Sequence, residues 1–186
     1  MSSDIQVRVF REQEWPQETL AVLWHHAVHD YPHSLMWRTG VPVTLNEWIR
    51  WFSADHRLVI LPVEIREDQV PTVQDILGIL WLDDIDNFCA SAHFWFRKQG
   101  QMCRKPLRAG ARALDFVFTS LSFQVLWCKL NAQNHVAVKL AKHIGFQIIG
   151  EIPLWYGHGE TRYAATIGHL TADQWREKRE RYGSSI

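Results

Sequence analysis

The sequence predicts an α/β protein with a central mixed, mostly antiparallel sheet of six or seven strands flanked by helices. Three observations support this prediction. Short segments rich in Val, Ile, Leu and aromatic residues have the alternating or continuous apolar pattern of strands. Other segments repeat apolar residues at steps of three and four, as amphipathic helices do. Because the two kinds of segment succeed one another without a linker or a repeat, one domain over residues 1–186 is expected.

The first half of the chain is predicted to contain a strand, two helices and an antiparallel three-stranded meander. Apolar and polar residues alternate in IQVRVF, and the helix that follows is ended by Pro32. A loop rich in Pro and Gly separates this helix from a second, short one. The predicted elements, in order, are a strand at 5–10, helices at 15–28 and 45–52, and strands at 57–65, 75–85 and 89–97.

The second half is predicted to alternate helices with strands. A helix over residues 106–121 carries apolar residues at steps of four and three, which share one face: Leu107, Ala111, Leu114, Phe118 and Leu121. Another helix follows Asn134, a good N-cap, and ends before Gly145, a good C-cap. The remaining predicted elements are strands at 125–130, 146–152 and 161–170 and a charged surface helix at 171–181.

Composition narrows the classes of function. Hydrophobic residues make up 47% and charged residues 22% of the chain, and no apolar run reaches the roughly 18 residues that span a bilayer. The 20 basic residues equal the 20 acidic ones, so neither nucleic acid nor an anionic membrane is an expected partner. MSSDIQVRVF lacks a signal-peptide pattern and the three cysteines are widely spaced, so a cytoplasmic location is expected. Most of the ten tryptophans are expected in the core.

The stretch QMCRKP lies between a predicted strand and the start of a predicted helix, where backbone amides commonly bind phosphate. Basic residues concentrate around it, and their number suits a small phosphorylated ligand better than a duplex. They are Arg97, Lys98, Arg104, Lys105, Arg108 and Arg112.

The segment NHVAVKLAKHIGF resembles the late motif of the GNAT superfamily of acetyl-CoA-dependent N-acetyltransferases. The motif's Asn, small residue, Leu and closing Gly-Phe fall on Asn134, Ala137, Leu140 and Gly145-Phe146. ILGILWLDDID and AHFWF are similar to the family's third and fourth strands, and Leu170 to Trp175 is similar to the ending of the subgroup that acetylates ribosomal-protein N-termini. The resemblance implies a three-layer GNAT-like fold and acetyl-CoA as co-substrate.

The pyrophosphate loop is where the chain departs from the family pattern. Gln101 matches the motif, whereas Arg104 stands where the family has Gly and Pro106 where it has a small residue. We expect Arg104 and Lys105 to bind the pyrophosphate by charge, together with the helix dipole; the alternative is a solvated basic turn on a fold that has lost its cofactor. The predicted cofactor-binding residues are Phe94, Phe96, Gln101, Met102, Cys103, Arg104, Lys105, Pro106 and Asn134.

The resemblance also implies that a gap between the fourth and fifth strands, near Phe94 to Phe96 and Leu130, polarises the thioester. The family's frequent Tyr and Glu fall on Ala141 and Ser91, so other groups must move protons. The predicted catalytic residues are His93, Tyr156 and Tyr163, and packing is the alternative role for each.

The helix at 15–28 and the loop after it cover the acceptor in this family. The predicted substrate-binding residues are His29, Tyr31, Met36 and Trp37. Their neutral, aromatic character favours a small amine or a peptide N-terminus over a polyamine. His25, His29 and His33 are four apart, but Pro32 interrupts the helix, so no metal site is expected.

The sequence thus predicts an N-acetyltransferase that moves an acetyl group from acetyl-CoA to a primary amine by direct attack in a ternary complex. Its partners would be a CoA thioester and an amine acceptor, and the sequence is compatible with a homodimer. Two alternatives stay open: an inactive GNAT-fold binding or inhibitory protein, and a GNAT-like enzyme with another acyl donor or an unusual acceptor such as a nucleobase.

Overall fold

The computed structural model describes residues 4–9, 17–30, 44–52, 58–65, 72–97, 105–158 and 160–182. Within them the strands are β1 Asp4–Val9, β2 Leu58–Ile65, β3 Gly78–Asp86, β4 Cys89–Phe96, β5 Val125–Asn131, β6 Gln147–His158 and β7 Thr161–Thr171. The helices are α1 Gln17–Asp30, α2 Leu45–Phe52, α3 Lys105–Asp115, α4 His135–Ile144 and α5 Ala172–Tyr182. No helix of this described part is long and apolar enough to cross a membrane.

The seven strands form one mixed sheet in the order β1-β2-β3-β4-β5-β7-β6. Its neighbouring strands are antiparallel except for β4 and β5, which are parallel. Parallel neighbours need a crossover connection, and α3 lies on the segment between these two strands. The predicted α/β class and the mixed, mostly antiparallel sheet are confirmed.

Helices cover the sheet on both faces, so the fold has three layers. Successive residues of a strand point to opposite faces, and each face has its own apolar core. The face that we call the α1/α2 face contains Leu23, Ala27, Trp48, Trp81 and Trp95. The opposite face, which we call the α3/α4 face, contains Leu80, Ala92, Leu114, Leu126, Ile144 and Trp175. In β4, therefore, Ser91 and His93 lie on the α1/α2 face, whereas Phe94 and Phe96 lie on the other.

The helix predicted at 106–121 changes its hydrogen bonding part-way along. It is α-helical from Lys105 to Asp115 and continues as a π-helical segment, Phe116–Ser120. The amide of Leu121 donates to the carbonyl of Phe116 at 3.2 Å, five residues back. The indole of Trp175 donates to Asp115 at 2.8 Å, which attaches α5 to the end of α3. On the predicted apolar face, Ala111, Leu114 and Phe118 are buried and Leu107 and Leu121 are half-buried against the same core, so the face packs inward across both segments.

Strand β6 runs beyond Ile152, where the sequence predicts its end. Ile152 lies opposite Ala165 and Tyr156 lies opposite Tyr163, so four steps along β6 match two along β7. The extra residues form a bulge in which Leu154 has a positive φ of 57°. The bulge carries the chain past Pro153 and returns Tyr156 to the ladder.

Candidate active site

Strands β4 and β5 begin as a parallel pair and then separate. Cys89–Ser91 of β4 pairs with Val125–Trp127 of β5, and no pair joins these two strands beyond that point. Each strand keeps its other neighbour throughout, since β4 pairs with β3 up to Phe96 and β5 pairs with β7 up to Asn131. The result is a gap between residues 92–96 and 128–131, which we call the strand gap. It lies where the sequence predicts it.

Backbone groups of both strands point into the strand gap. In an antiparallel ladder the N–H and C=O of alternate residues point to the same neighbour. The amide of Arg97 donates to Leu77 on the β3 side at 3.0 Å, so the groups of Phe94 do not point toward β3 but toward the gap. The amide of Ala132 donates to the carbonyl of Ala164 in β7 at 2.9 Å. By the same alternation, the backbone N–H and C=O of Lys129 point away from β7 and into the gap. An extended ligand in the gap would therefore meet a donor and an acceptor of Phe94.

Tyr156, a predicted catalytic residue, reaches the edge of the strand gap. Its hydroxyl donates to the carbonyl of Lys129 at 2.6 Å, and the residue is only 8% exposed. Tyr163 lies opposite Tyr156 in the β6–β7 pairs, so both side chains lie on the same face. Because Leu126 and Cys128 belong to the α3/α4 core, the odd-numbered residues of β5 and their β7 neighbours lie on the α1/α2 face. Tyr156 and Tyr163 therefore share a face with His93.

His93 is held by two neighbours on β3. Its Nε2 lies 2.9 Å from Oδ1 of Asp83, and the side chains of His93 and Asp83 are 18% and 6% exposed. The imidazole stacks on the indole of Trp81, with 5.0 Å between ring centres and 6° between planes. Trp81 contacts Trp51 of α2 edge to face at 5.1 Å. Aromatic packing thus fixes the imidazole plane, and the carboxylate fixes its rotation.

Lys129 places a cation on the same face beside the gap. Its Nζ lies 4.0 Å from Oδ2 of Asp84 and 5.5 Å from the ring centre of Trp155. Trp155 is 42% exposed, and the lysine side chain is mostly covered. Asp84 has a positive φ of 49°, which turns its carboxylate away from the regular strand direction.

Two helices begin just after the separating ends of the two parallel strands. α3 starts at Lys105, with Pro106 in its first turn, where a missing N–H costs no helical bond. Asn134 is the N-cap of α4: its Oδ1 accepts from the amide of Ala137 at 3.1 Å, and its own amide donates to Asn131 at 2.8 Å. Helix N-termini at the carboxyl ends of parallel strands form a site for an anionic ligand.

Phe94 and Phe96 fix the position of α3 with their side chains. Their rings stack with centres 6.1 Å apart, and Phe94 also meets Phe146 edge to face at 6.1 Å. Phe96 packs against Ala109, and a Cβ on Gly110 would lie 3.4 Å from its ring. Small residues therefore let the helix approach the strand closely. The contribution of Phe94 to a ligand in the gap would come from its backbone.

The sequence matches no protein-family model and no curated protein, whereas solved structures match it over nearly its whole length. The spermidine N-acetyltransferase of Vibrio cholerae in complex with CoA and spermine superposes with a TM-score of 0.70 and 14% identity, covering 92% of this chain and 98% of that one. A chimera of that enzyme with hSSAT superposes with a TM-score of 0.71 and 14% identity, and the match covers 92% of this chain and 98% of the chimera. The spermidine/spermine N-acetyltransferase of Vibrio cholerae in complex with manganese ions superposes with a TM-score of 0.66 and 13% identity, and the match covers 94% of this chain and 96% of that one. These neighbours have the GNAT fold.

This chain has the GNAT fold. At the position of the family's frequent glutamate, the Ser91 hydroxyl donates to Asp84 at 3.2 Å. At the position of the frequent tyrosine, Ala141 is buried in the α3/α4 core. The GNAT fold here thus carries no titratable side chain at either position, and His93 and Tyr156 are the candidates that lie beside the strand gap.

Arg97 corrects the prediction of a basic cluster around the loop. Its side chain is buried, and its guanidinium donates to the carbonyl of Gln74 at 2.9 Å and to Nε2 of His26 at 3.1 Å. Arg112 lies 3.7 Å from Asp4. Alternation along β4 points the Arg97 side chain to the α1/α2 face, away from the start of α3, because burial against α1 outweighs the sequence proximity to the loop.

Several predicted site residues lie outside the described part of the chain. They are Gln101, Met102, Cys103 and Arg104 of the loop, the side chain of Lys105, and Tyr31, Met36 and Trp37 of the predicted acceptor wall. His29 is described: it is exposed in the last turn of α1 and its ring stacks on His25 at 6.3 Å. No cluster of metal-binding side chains occurs among the described residues.

The sequence did not predict the pairing of Asp83 with His93. The short turn after Asp86 signals only the hairpin, because a regular ladder from the pair Asp86–Cys89 would put Asp83 opposite Ala92. A register shift between Asp83 and Asp86 instead places Asp83 opposite Ser91 and diagonal to His93. The contact of Tyr156 with Lys129 has no comparable signal, because it depends on the β6 bulge and on two neighbouring ladders.

Proposed function

We propose that this protein is an acetyl-CoA-dependent N-acetyltransferase that moves an acetyl group to a primary amine by direct attack in a ternary complex. The observation that carries the proposal is the strand gap, in which parallel strands separate beside the start of two helices. A gap of this kind exposes backbone donors and acceptors that a strand would otherwise occupy. The solved neighbour that binds CoA and spermine supports the same assignment.

The pantetheine arm of CoA is an extended chain with two amides, which suits the gap. Its amides would pair with the backbone of Phe94, as an added strand pairs with a sheet edge. The pyrophosphate would then lie at the N-terminus of α3, and we expect the charges of Arg104 and Lys105, which are next to it in the sequence, to contribute to its binding. Asn134 would close the other side from the start of α4.

The reaction needs a neutral amine, a polarised carbonyl and a proton for the departing sulfur. A backbone N–H in the gap would polarise the thioester carbonyl, because preorganised donors stabilise the oxyanion that develops there. The amine nitrogen attacks the carbonyl carbon, the C–N bond forms, and the C–S bond breaks. The thiolate of CoA takes the second proton of the former ammonium group. Tyr156 is the candidate to relay that proton: its hydroxyl would leave the carbonyl of Lys129, give its proton to the thiolate and take the one that leaves the nitrogen.

The acceptor that we propose is a small amine or a peptide N-terminus. The solved neighbours are named for spermidine, a polycation, but here Lys129 puts a positive charge beside the gap. The carboxylates nearest to it are engaged, Asp83 with His93 and Asp84 with Lys129. Because both carboxylates already have these partners, a polycation would bind beside the gap only by breaking one of the two contacts.

A binding protein without turnover is the second candidate function, and a specific observation favours it. The positions of the family's frequent acid and base hold Ala141 and Ser91, neither of which titrates near neutral pH. Such a protein would bind CoA and release no thiol.

Calorimetry with acetyl-CoA tests the proposal before any acceptor is known, and thiol release then tests turnover. We expect acetyl-CoA to bind at micromolar concentration. We also expect thiol release to depend on an added amine and to be faster with a tetrapeptide carrying a free N-terminus than with spermidine. Binding without thiol release for a broad amine panel would favour the second candidate. Absence of binding at millimolar acetyl-CoA would refute both.

A further inference from the structure

We infer that His93 and Asp83 form a catalytic dyad in which His93 removes a proton from the acceptor's ammonium group and Asp83 is its positioning residue. The inference rests on the proposed function and deepens it. It assigns the proton acceptor that the reaction requires to a pair of side chains whose contact is visible on the α1/α2 face, beside the strand gap.

The first support is the geometry of the pair. An ionised carboxylate only accepts hydrogen bonds, so at 2.9 Å from Asp83 the Nε2 atom of His93 carries the proton that is shared. The neutral imidazole then has its basic lone pair on Nδ1. That atom has no hydrogen-bond partner among the described residues. The carboxylate, which is almost fully covered, therefore selects the tautomer whose other nitrogen can take a proton.

The second support is the stacking on Trp81. The planes of the two rings are nearly parallel, with an angle of 6° between them, and the ring centres are 5.0 Å apart. An imidazolium formed by proton uptake would lie over the indole face, which attracts cations. Asp83 and Trp81 together would stabilise the charged ring, as the carboxylate of a catalytic triad stabilises its imidazolium.

The third support is the position of His93 relative to the gap. His93 directly precedes Phe94, whose backbone groups point into the gap. Its side chain is 18% exposed on the α1/α2 face, so an amine can approach from that side. Besides Asp83, the charged or titratable groups described on α1, on α2 and on this face of the sheet include Glu18, His25, His26, His29, Glu47, Arg50, Asp84, Arg97, Lys129, Tyr156, Tyr163 and His169. Asp84 contacts Lys129, and Arg97 contacts His26. Asp83 is the charged group that contacts the imidazole of His93.

The proton balance of the step is complete with groups already named. His93 Nδ1 takes one proton from the ammonium group and leaves the neutral amine. Attack forms the C–N bond, collapse breaks the C–S bond, and the CoA thiolate receives the second nitrogen proton. The imidazolium then returns its proton to water. The net products are the acetylated amine, CoA thiol and one proton.

The first test compares His93→Gln, Asp83→Asn and Asp83→Glu with wild type. A base is needed because an alkylamine with a pKa of about 10.4 is neutral in about one molecule in 2,500 at pH 7 and in about one in ten near pH 9.4. With Nα-acetyl-lysine as acceptor, we expect His93→Gln to lose about 100-fold in kcat/KM at pH 7 and less than about 5-fold near pH 9.4. Asp83→Asn should lose at least about 10-fold at pH 7, and Asp83→Glu should recover part of the rate.

The matched control is Asp86→Asn, the same substitution three residues along β3. Asp86 accepts from the side chain of Asn87 at 2.9 Å and belongs to the exposed turn, so this variant should keep the wild-type rate. A structural defect would persist at every pH. Equal losses at both pH values in His93→Gln, or equal rates in Asp83→Asn and Asp86→Asn, would overturn the dyad.

A second measurement decides the question without turnover. Nitrogen NMR of the histidine rings reports which ring nitrogen carries the proton when the imidazole is neutral. In wild type we expect the His93 proton on Nε2, with that preference lost in Asp83→Asn and kept in Asp86→Asn. A proton on Nδ1 in the wild-type protein would overturn the inference. Failure of acetyl-CoA to bind in calorimetry would instead refute the proposed function, so the two failures are distinguishable.

Discussion

Replacing Tyr156 by Phe separates the structural role of its hydroxyl from a role in proton transfer. The hydroxyl donates to the carbonyl of Lys129 at 2.6 Å, in a residue that is 8% exposed. A net hydrogen bond contributes about 0.5–1.5 kcal/mol, and leaving a buried acceptor without a partner costs about 1–3 kcal/mol. Because this carbonyl borders the strand gap, water can replace part of the lost bond, so we expect a loss of about 1–2 kcal/mol.

Thermal unfolding measures that loss directly. For a chain of this length, each kcal/mol shifts Tm by about 2–4 °C, so Tyr156→Phe should lower Tm by roughly 2–8 °C. Tyr163→Phe is the matched control, since Tyr163 lies opposite Tyr156 and its hydroxyl has no hydrogen-bond partner within the described ranges. Tyr163→Phe should change Tm by less than about 2 °C.

The kinetic effect of the same change decides the second role. If the hydroxyl only holds Lys129, Tyr156→Phe should weaken acetyl-CoA binding slightly and leave kcat within about 3-fold of wild type. If it also protonates the thiolate, kcat should fall by about 100-fold or more. Equal Tm values for Tyr156→Phe and Tyr163→Phe would refute the structural reasoning, because the hydrogen bond would then contribute nothing.

Three further predictions follow from single contacts. Asn134→Ala removes the N-cap of α4 and should cost about 1 kcal/mol in denaturant titration while weakening acetyl-CoA binding by a larger factor in calorimetry; unchanged affinity would count against a cofactor role. Gly78→Ala places a Cβ 2.3 Å from the carbonyl oxygen of Trp95 and should cost about 2–3 kcal/mol in denaturant titration, a result that wild-type stability would contradict. Burial raises the pKa of the Cys128 thiol from 9.0 to about 12, so its contribution to stability is complete below pH 9 and is lost as the pH rises toward 12. Relative to Cys128→Ala, wild type should lose about 1.4 kcal/mol by pH 10, measured by denaturant titration at pH 8 and pH 10.

The sequence by itself determined the elements whose signals are local. The helix at α4 follows from Asn134, from the apolar spacing after it and from Gly145, and the structure has the predicted N-cap bond and a left-handed Gly145 at φ 119°. Helix periodicity and capping depend on residues within one or two turns, so they can be read without knowing the fold. The positions of the strands and the mixed sheet followed from alternation and from the order of the elements in the same way.

The strand gap was predicted only through the resemblance to a family. No residue within β4 or β5 signals that the two strands separate after Ser91 and Trp127. Separation is a property of the pair of strands, so it cannot be read from the residues of either strand alone. The resemblance to the GNAT superfamily was therefore the only basis on which the sequence could predict the gap.

Only the tertiary structure decided the partners of the candidate site residues. His93 meets Asp83 because the register of β3 and β4 brings them diagonal to one another, and Tyr156 meets Lys129 because a bulge adjusts the length of β6. Arg97 is close in sequence to the loop that is predicted to bind phosphate, yet strand alternation turns its side chain toward His26 on the α1/α2 face. Register, bulges and the choice of face are set by contacts between distant segments, so local patterns cannot specify them.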